Sequence, residues 1–298
     1  MHFQNTNDSI YKRQKALHMR QCFHAQKTLY TYSKILSAFQ FSFSVGCVCV
    51  CTVFYAVTHK EIWYQISIIL TCMLLFLSLV LDRSKNEMKR RAASIQQYID
   101  VKLFATADNI ELWGELPSVQ KIAEWIAKTT GKKTKMDPWY ANYSQLPHHE
   151  QVVHCQAENV RWNQHLSRDY FIVVNAFCVL CCLAFLAWEL FYLKPSLLDF
   201  VSAITGLFPL LQFVITWDID MLSADKKLQS IQLKIDSILS KKDEGDVREW
   251  EKHEIAIQSS IYEYRKASVM IPDWFYKLRQ HNYEKIETEI SKAINKKR

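Results

Sequence analysis

The chain has 298 residues, with 37 Lys and Arg against 30 Asp and Glu, and a formal net charge of +7. Only five residues are glycine and six are proline, and no strand-like alternation persists, which argues against a sheet-based fold and for a helical one. The net charge is ordinary for a membrane protein with cytoplasmic basic residues, so it is weak evidence for an anionic partner. The first 34 residues are polar and basic, and they predict no cleavable signal peptide.

Four long apolar segments are each predicted to cross a bilayer. A spanning helix needs roughly 20 mainly apolar residues, and none of these segments contains Lys or Arg. The alternative, a set of core helices in a soluble protein, is disfavoured because core helices are usually shorter. The segments, numbered one to four in chain order, are 35–57, 62–81, 171–193 and 197–217.

The short connections between these segments predict two helical hairpins and their orientation. Residues 58–61 ("THKE") join segments one and two, and residues 194–196 ("KPS") join segments three and four. Of the 37 Lys and Arg, only Lys60 and Lys194 lie in these connections. Positive charge is retained in the cytoplasm, so both connections are expected outside and both termini inside. The parts expected in the cytoplasm are 1–34, 82–169 and 218–298.

Apolar residues continue at helical spacing beyond segments two and four. After segment two, they predict a helix over 88–103. After segment four, six residues alternate at spacings of three and four and form a short heptad-like seam. This seam is compatible with self-association or with packing against the 88–103 helix, and both remain open. The seam residues are Met221, Ala224, Leu228, Ile231, Ile235 and Ile238.

Two further helices are predicted near the C-terminus, separated by "IPDW" with Pro272 as a helix start. The first has an apolar face formed by Trp250, Ile257, Ile261 and Tyr264. The second has an apolar face formed by Phe275, Leu278, Ile286 and Ile290. The predicted fold is thus an all-α membrane protein, with four transmembrane helices in two hairpins and a helical cytoplasmic sensor domain.

The stretch "HHEQVVH", residues 148–154, is close to a zinc-protease helix but has the wrong spacing. That motif needs two His at i and i+4, whose imidazoles leave one helix face together. His149 and His154 are five apart, so they diverge, and a solvated His-rich turn after Pro147 is the preferred interpretation. No phosphate loop or nucleophile elbow is present either. We therefore expect no enzyme activity, no metal site and no cofactor.

Aromatic and cationic residues are interleaved in the predicted cytoplasmic parts. Aromatic faces stack on bases, and Arg side chains bind phosphate, so the pairing suits a small nucleotide ligand. The alternative is that the rings are core anchors between helices. The candidate ligand-binding residues are Trp139, Tyr140, Arg161, Trp162, Arg168, Tyr262, Arg265, Trp274, Tyr276 and Arg279.

Several stretches, in this order and with this membrane layout, resemble the SMODS-associated four-transmembrane effector family of bacterial cyclic-oligonucleotide anti-phage systems. The chain departs from the family's pattern at Ala157, Asn163 and Ser167, where basic, acidic and basic residues respectively are expected. The stretches are "SIYKRQKALHMRQCFHAQKTLY" (9–30), "ASIQQYIDVKLF" (93–104), "DPWY" (137–140), "CQAENVRWNQHLSRDYF" (155–171) and "IQSSIYEYRKASVMIPDWFYKLR" (257–279).

The resemblance implies an effector in the bacterial inner membrane that binds a cyclic oligonucleotide second messenger, a cyclic di- or trinucleotide. It also implies that the membrane helices then rearrange, as a homo-oligomer among membrane lipids, to breach the membrane and cause abortive infection. No DNA or RNA polymer is expected as a partner. The competing interpretation is a membrane scaffold or constitutive channel without a nucleotide. Polar residues in segment one (Ser37, Gln40, Ser44 and Thr52) give a channel partial support.

Overall fold

The computed structural model describes residues 9–58, 60–106, 109–114, 116–129, 138–188, 191, 208–240 and 247–296. Within these residues the backbone is helical with no strand, which confirms the all-α prediction for this part of the chain. The α-helices are α1 (Ile10–Arg13), α2 (Leu17–Thr58), α3 (Glu61–Phe104), α4 (Val119–Thr129), α5 (His148–Trp188), α6 (Phe208–Ser240), α7 (Val247–Ala267) and α8 (Asp273–Lys296).

Four helices are long because each joins a polar part to an apolar part without a break. Helices α2 and α3 contain the predicted segments one and two, and α5 contains most of segment three. The described part of α6 begins at Phe208, so residues 197–207 of segment four lie outside the described residues, as does the 194–196 connection. The polar and apolar parts of each of these helices are therefore continuous in the backbone.

Side-chain contacts arrange these long helices as two antiparallel pairs. In the first pair, the Tyr30 hydroxyl of α2 donates to Gln96 Oε1 of α3 at 3.2 Å. At the opposite end of that pair, the Phe54 and Trp63 rings stack at 4.8 Å. In the second pair, Asn175 Nδ2 of α5 donates to Asp218 Oδ1 of α6 at 2.9 Å.

Large apolar side chains are exposed along the predicted membrane segments. Phe76 in segment two is 75% exposed, and Phe177 in segment three is 66% exposed. In the part of the chain that the structure describes, α5 is the one helix whose length and apolar composition are sufficient to cross a membrane. Such exposure suits contact with lipid, because soluble proteins rarely leave contiguous apolar surface uncovered.

The seam on α6 is buried within the chain, and the helices that cover it are not the 88–103 helix that one of the two predicted alternatives named. Its residues pack on the Val153–Ala157–Val160 face of α5 and on the Ile257–Ile261 face of α7, rather than on the 88–103 helix. The seam thus belongs to a hydrophobic core formed within the chain, and self-association through it would require that core to open.

The predicted apolar face of α8 is partly wrong. Leu278 is 65% exposed and Ile286 is 45% exposed, although Phe275 is buried as predicted. The buried positions farther along the helix include Tyr283 and Glu287, which face α5. The apolar pattern therefore predicted the wrong buried face for this part of α8, and the carboxylate of Glu287 occupies a core position instead.

We expect Ile235→Asp to unfold the helical core that α5, α6 and α7 form, because Ile235 is fully buried and an aspartate there would have no partner. An unpaired polar group in such a site costs roughly 2–7 kcal/mol. Leu233→Asp is the matched control, since Leu233 lies on the same helix and is 70% exposed. Limited proteolysis of the protein in detergent measures the effect. Equal protease resistance of the two variants would contradict this account of the α6 seam.

Candidate functional site

A buried carboxylate, Asp100 on α3, lies where several elements outside the apolar segments meet. The Tyr140 hydroxyl donates to Asp100 Oδ1 at 2.7 Å. Arg265 Nη1 of α7 donates to Asp100 Oδ2 at 2.5 Å, and Gln258 Nε2 donates to the same oxygen at 2.9 Å. Both members of the ion pair are buried, so the charge of Asp100 is neutralised within the protein. We call these four residues the Asp100 hub.

The Asp100 hub extends to α5 through a chain of amide groups. Gln156 Nε2 of α5 donates to Gln258 Oε1 at 3.3 Å and to the Glu254 carbonyl oxygen at 2.9 Å. Burial is the main cause that raises the pKa of Tyr140 well above its usual 10, so this hydroxyl keeps its proton and donates. The position of α5 is therefore tied to that of α3 and α7 by polar contacts in the core.

Two further ion pairs connect α5 to α8. Their α5 residues lie closer in the sequence to predicted segment three than Gln156 does. Arg161 donates to both carboxylate oxygens of Glu287, at 3.1 Å from Nε and 2.6 Å from Nη2. Arg279 Nε lies 3.1 Å from Asp169 Oδ2, and the Tyr283 hydroxyl donates to that oxygen at 2.7 Å. Both guanidinium groups are thus engaged by carboxylates of the same chain.

An aromatic cluster lies between these two ion pairs. The ring centroid of Trp162 is 5.7 Å from that of Tyr276 and 5.5 Å from that of Tyr283. His165 stacks on Tyr283 from the other side, at 5.8 Å. The cluster joins α5 to α8; Tyr283 is buried, Trp162 and Tyr276 are half-buried, and His165 is exposed.

The structure separates the ten predicted ligand residues into three groups. Tyr140 and Arg265 belong to the Asp100 hub and have no exposed face, which favours the core-anchor alternative for both. Trp139 is beside them, stacked on Phe23 at 5.4 Å. A ligand could reach Tyr140 and Arg265 only if the core opened, whereas Trp139 is partly exposed.

The other groups are nearer to solvent. Arg161, Trp162, Tyr276 and Arg279 come together in the α5–α8 contact described above. The third group is dispersed: Tyr262 is half-buried and shares a hydrogen bond with Ser94 at 3.0 Å, whereas Arg168 is exposed and Trp274 is 62% exposed. A ligand role for these residues stays a prediction.

The stretch "HHEQVVH" is the first part of α5, so the predicted turn is wrong. His148 and His149 begin α5, and His148 Nε2 lies 2.7 Å from the Phe104 carbonyl oxygen. His154 is buried and stacks on Tyr143 at 5.4 Å. Across the described ranges, no group of His, Cys, Asp or Glu is arranged to hold a metal ion.

Two buried carboxyl groups were not identified from the sequence. Glu254 on α7 is 3% exposed, and burial, with the nearby Glu251, raises its pKa from 4.5 to about 9. Glu158 on α5 accepts from the Ala141 backbone N–H at 3.0 Å, and burial raises its pKa to about 8. Each lies on a helix whose surrounding pattern gave no sign that a carboxyl group would face the core.

Comparisons with known proteins extend over nearly the whole chain. A family model described as "SMODS-associating 4TM effector domain" matches residues 8–294. A protein of Bacillus cereus (strain VD146) named "Probable CBASS effector molecule" is 23% identical over 288 residues, which cover 94% of this chain and 93% of that protein. No solved structure matches the chain.

We expect Glu254→Gln to stabilise the protein increasingly as pH rises from 6 to 8. The pKa of Glu254 is raised from 4.5 to about 9 in the folded protein, so its contribution to stability is complete below 4.5 and is lost as pH rises toward 9. Glutamine does not ionise, so it has no such loss. The difference in the free energy of unfolding between the variant and wild type should therefore grow by roughly 1.4 kcal/mol per pH unit.

Thermal unfolding in detergent at several pH values measures this difference, with the exposed Glu249→Gln on the same helix as control. Parallel pH profiles for wild type and Glu254→Gln would show that this carboxyl group is ionised in the folded protein.

Proposed function

The chain belongs to the SMODS-associating 4TM effector family, a family of anti-phage defence effectors, and from this premise we propose its mechanism. The cytoplasmic helices bind a cyclic oligonucleotide made during infection. Binding then drives assembly of several copies in the inner membrane, and the assembly permeabilises that membrane and causes abortive infection. The proposed activity requires no catalytic residue, metal or cofactor.

The observation that carries this proposal is the continuity of α5. This single helix, His148–Trp188, has 41 residues. It contains both Gln156, which contacts the Asp100 hub, and Phe177 in the apolar part. A helix of this length spans roughly 60 Å. A ligand that shifts its polar part therefore also shifts its membrane part, provided the ligand binds the shifted state better than the resting one.

The proposed assembly of several copies is needed because one chain contributes only four helices to the membrane. Four helices fill the centre of their own bundle with side chains, so an aqueous path through the membrane requires more than one copy. Segment one offers a surface for such contacts, because Ser42 is exposed and nothing lies within 4 Å of a Cβ placed on Gly46. Small residues allow close approach of helices in lipid.

We expect membrane permeabilisation to depend on the nucleotide. Purified protein should bind at least one member of a panel of cyclic di- and trinucleotides, measured by calorimetry. Cells that express the protein with a cognate cyclic-nucleotide synthase should take up a membrane-impermeant dye, whereas cells with a catalytically dead synthase should not. Dye entry without any synthase would instead favour the constitutive-channel alternative, and no dye entry under either condition would favour the scaffold.

We also expect reporters fused at residue 1, 130 or 298 to be cytoplasmic and a reporter in 58–61 or 194–196 to be periplasmic. The physical reason is the concentration of Lys and Arg outside the two connections. Paired alkaline phosphatase and fluorescent protein fusions measure the orientation. A periplasmic signal from position 130 would overturn the four-span topology.

A further inference from the structure

A groove runs along the outer side of the contact between α6 and α7. It has two adjoining parts, with volumes of about 450 and 290 Å³, and both are lined by Ser230 and Lys234. The larger part is within the size range of small-molecule sites, which is about 300–1,000 Å³. Its floor is the apolar core beneath, including Ile231 and Ile257.

The groove contains two lysines that are available to a ligand. Lys227 and Lys234 are exposed and lie seven residues apart on one side of α6, roughly 10 Å along the helix axis. Neither forms an ion pair with any carboxylate in the described part of the chain, unlike Arg161, Arg265 and Arg279. Binding of an anion there need not break an existing salt bridge.

Hydroxyl groups and apolar surface complete the lining. Ser230 lies on α6 between the two lysines, and Ser259 faces it from α7. Leu233, which is 70% exposed, lines the larger part. Two carboxylates also line the groove: Glu249 in the larger part, and Glu263 in the smaller part, where Lys266 pairs with it at 2.6 Å. Ammonium and hydroxyl donors suit phosphate oxygens, and an exposed leucine offers a base an apolar surface.

We infer that this groove is the phosphate-contacting site for a nucleotide ligand, with Lys227 and Lys234 holding two phosphate groups. This inference rests on the proposed function and assigns its ligand to residues outside the ten predicted from the sequence. A ligand here contacts α6 and α7 together, and α6 continues without a break to Phe208 in segment four. Occupancy of the groove is thereby transmitted to the second membrane hairpin.

The test compares Lys227→Gln/Lys234→Gln with Lys226→Gln/Lys252→Gln. The second pair removes two exposed lysines from the same chain region without touching the groove lining. The probe is the cyclic nucleotide that gives the largest calorimetric signal with wild type. We expect the groove variant to weaken binding by about tenfold or more, with unchanged thermal unfolding, and the control to stay within about twofold of wild type.

A third variant, Arg168→Gln/Trp274→Ala, tests the exposed residues predicted from the sequence. Full binding by the groove variant together with loss of binding by this third variant would overturn the groove assignment and leave the proposed function standing. Equal weakening by groove and control variants would also overturn the assignment, because general charge would then explain the loss. Absence of binding by wild type to the whole panel would overturn the nucleotide proposal itself.

Discussion

The buried ion pair between Asp100 and Arg265 is the constraint on which the packing of the helices outside the apolar segments depends. Removing two charges from water costs several kcal/mol per ion, and the pair persists only where further hydrogen bonds complete both groups. Tyr140 and Gln258 supply those bonds to Asp100. The segment that carries Tyr140 and the two helices that carry the ion pair must therefore meet at one point, and Gln156 attaches α5 to it.

Four polar connections follow one another along α5 toward its apolar part. The amide of Gln156 reaches the Asp100 hub, Arg161 and Asp169 pair with α8, and Asn175 bonds to α6. A helix held at several levels cannot shift at one of them without disturbing the others. Such a chain of contacts suits two discrete arrangements better than gradual deformation, which is the physical requirement for a ligand-driven switch.

The sequence predicted which residues of α6 are buried but not what covers them. Leu228, Ile231 and Ile235 are in the core as the three-four spacing indicated, yet their partners are α5 and α7. On α8 the same reasoning failed, because Glu287 is buried by its bidentate pair with Arg161. The spacing of apolar residues cannot show that Glu287 is buried, because the arginine that pairs with it is 126 residues away in the sequence.

The sequence by itself determined the helical class, the apolar segments and the family, because helical periodicity, hydropathy and motif order are local properties of the chain. It also supplied the residue types suited to a nucleotide. Only the tertiary structure decided that Tyr140 and Arg265 are core residues and that Lys227 and Lys234 line an open groove. The physical reason is that exposure and charge pairing depend on which distant helices meet, and local spacing carries no information about that.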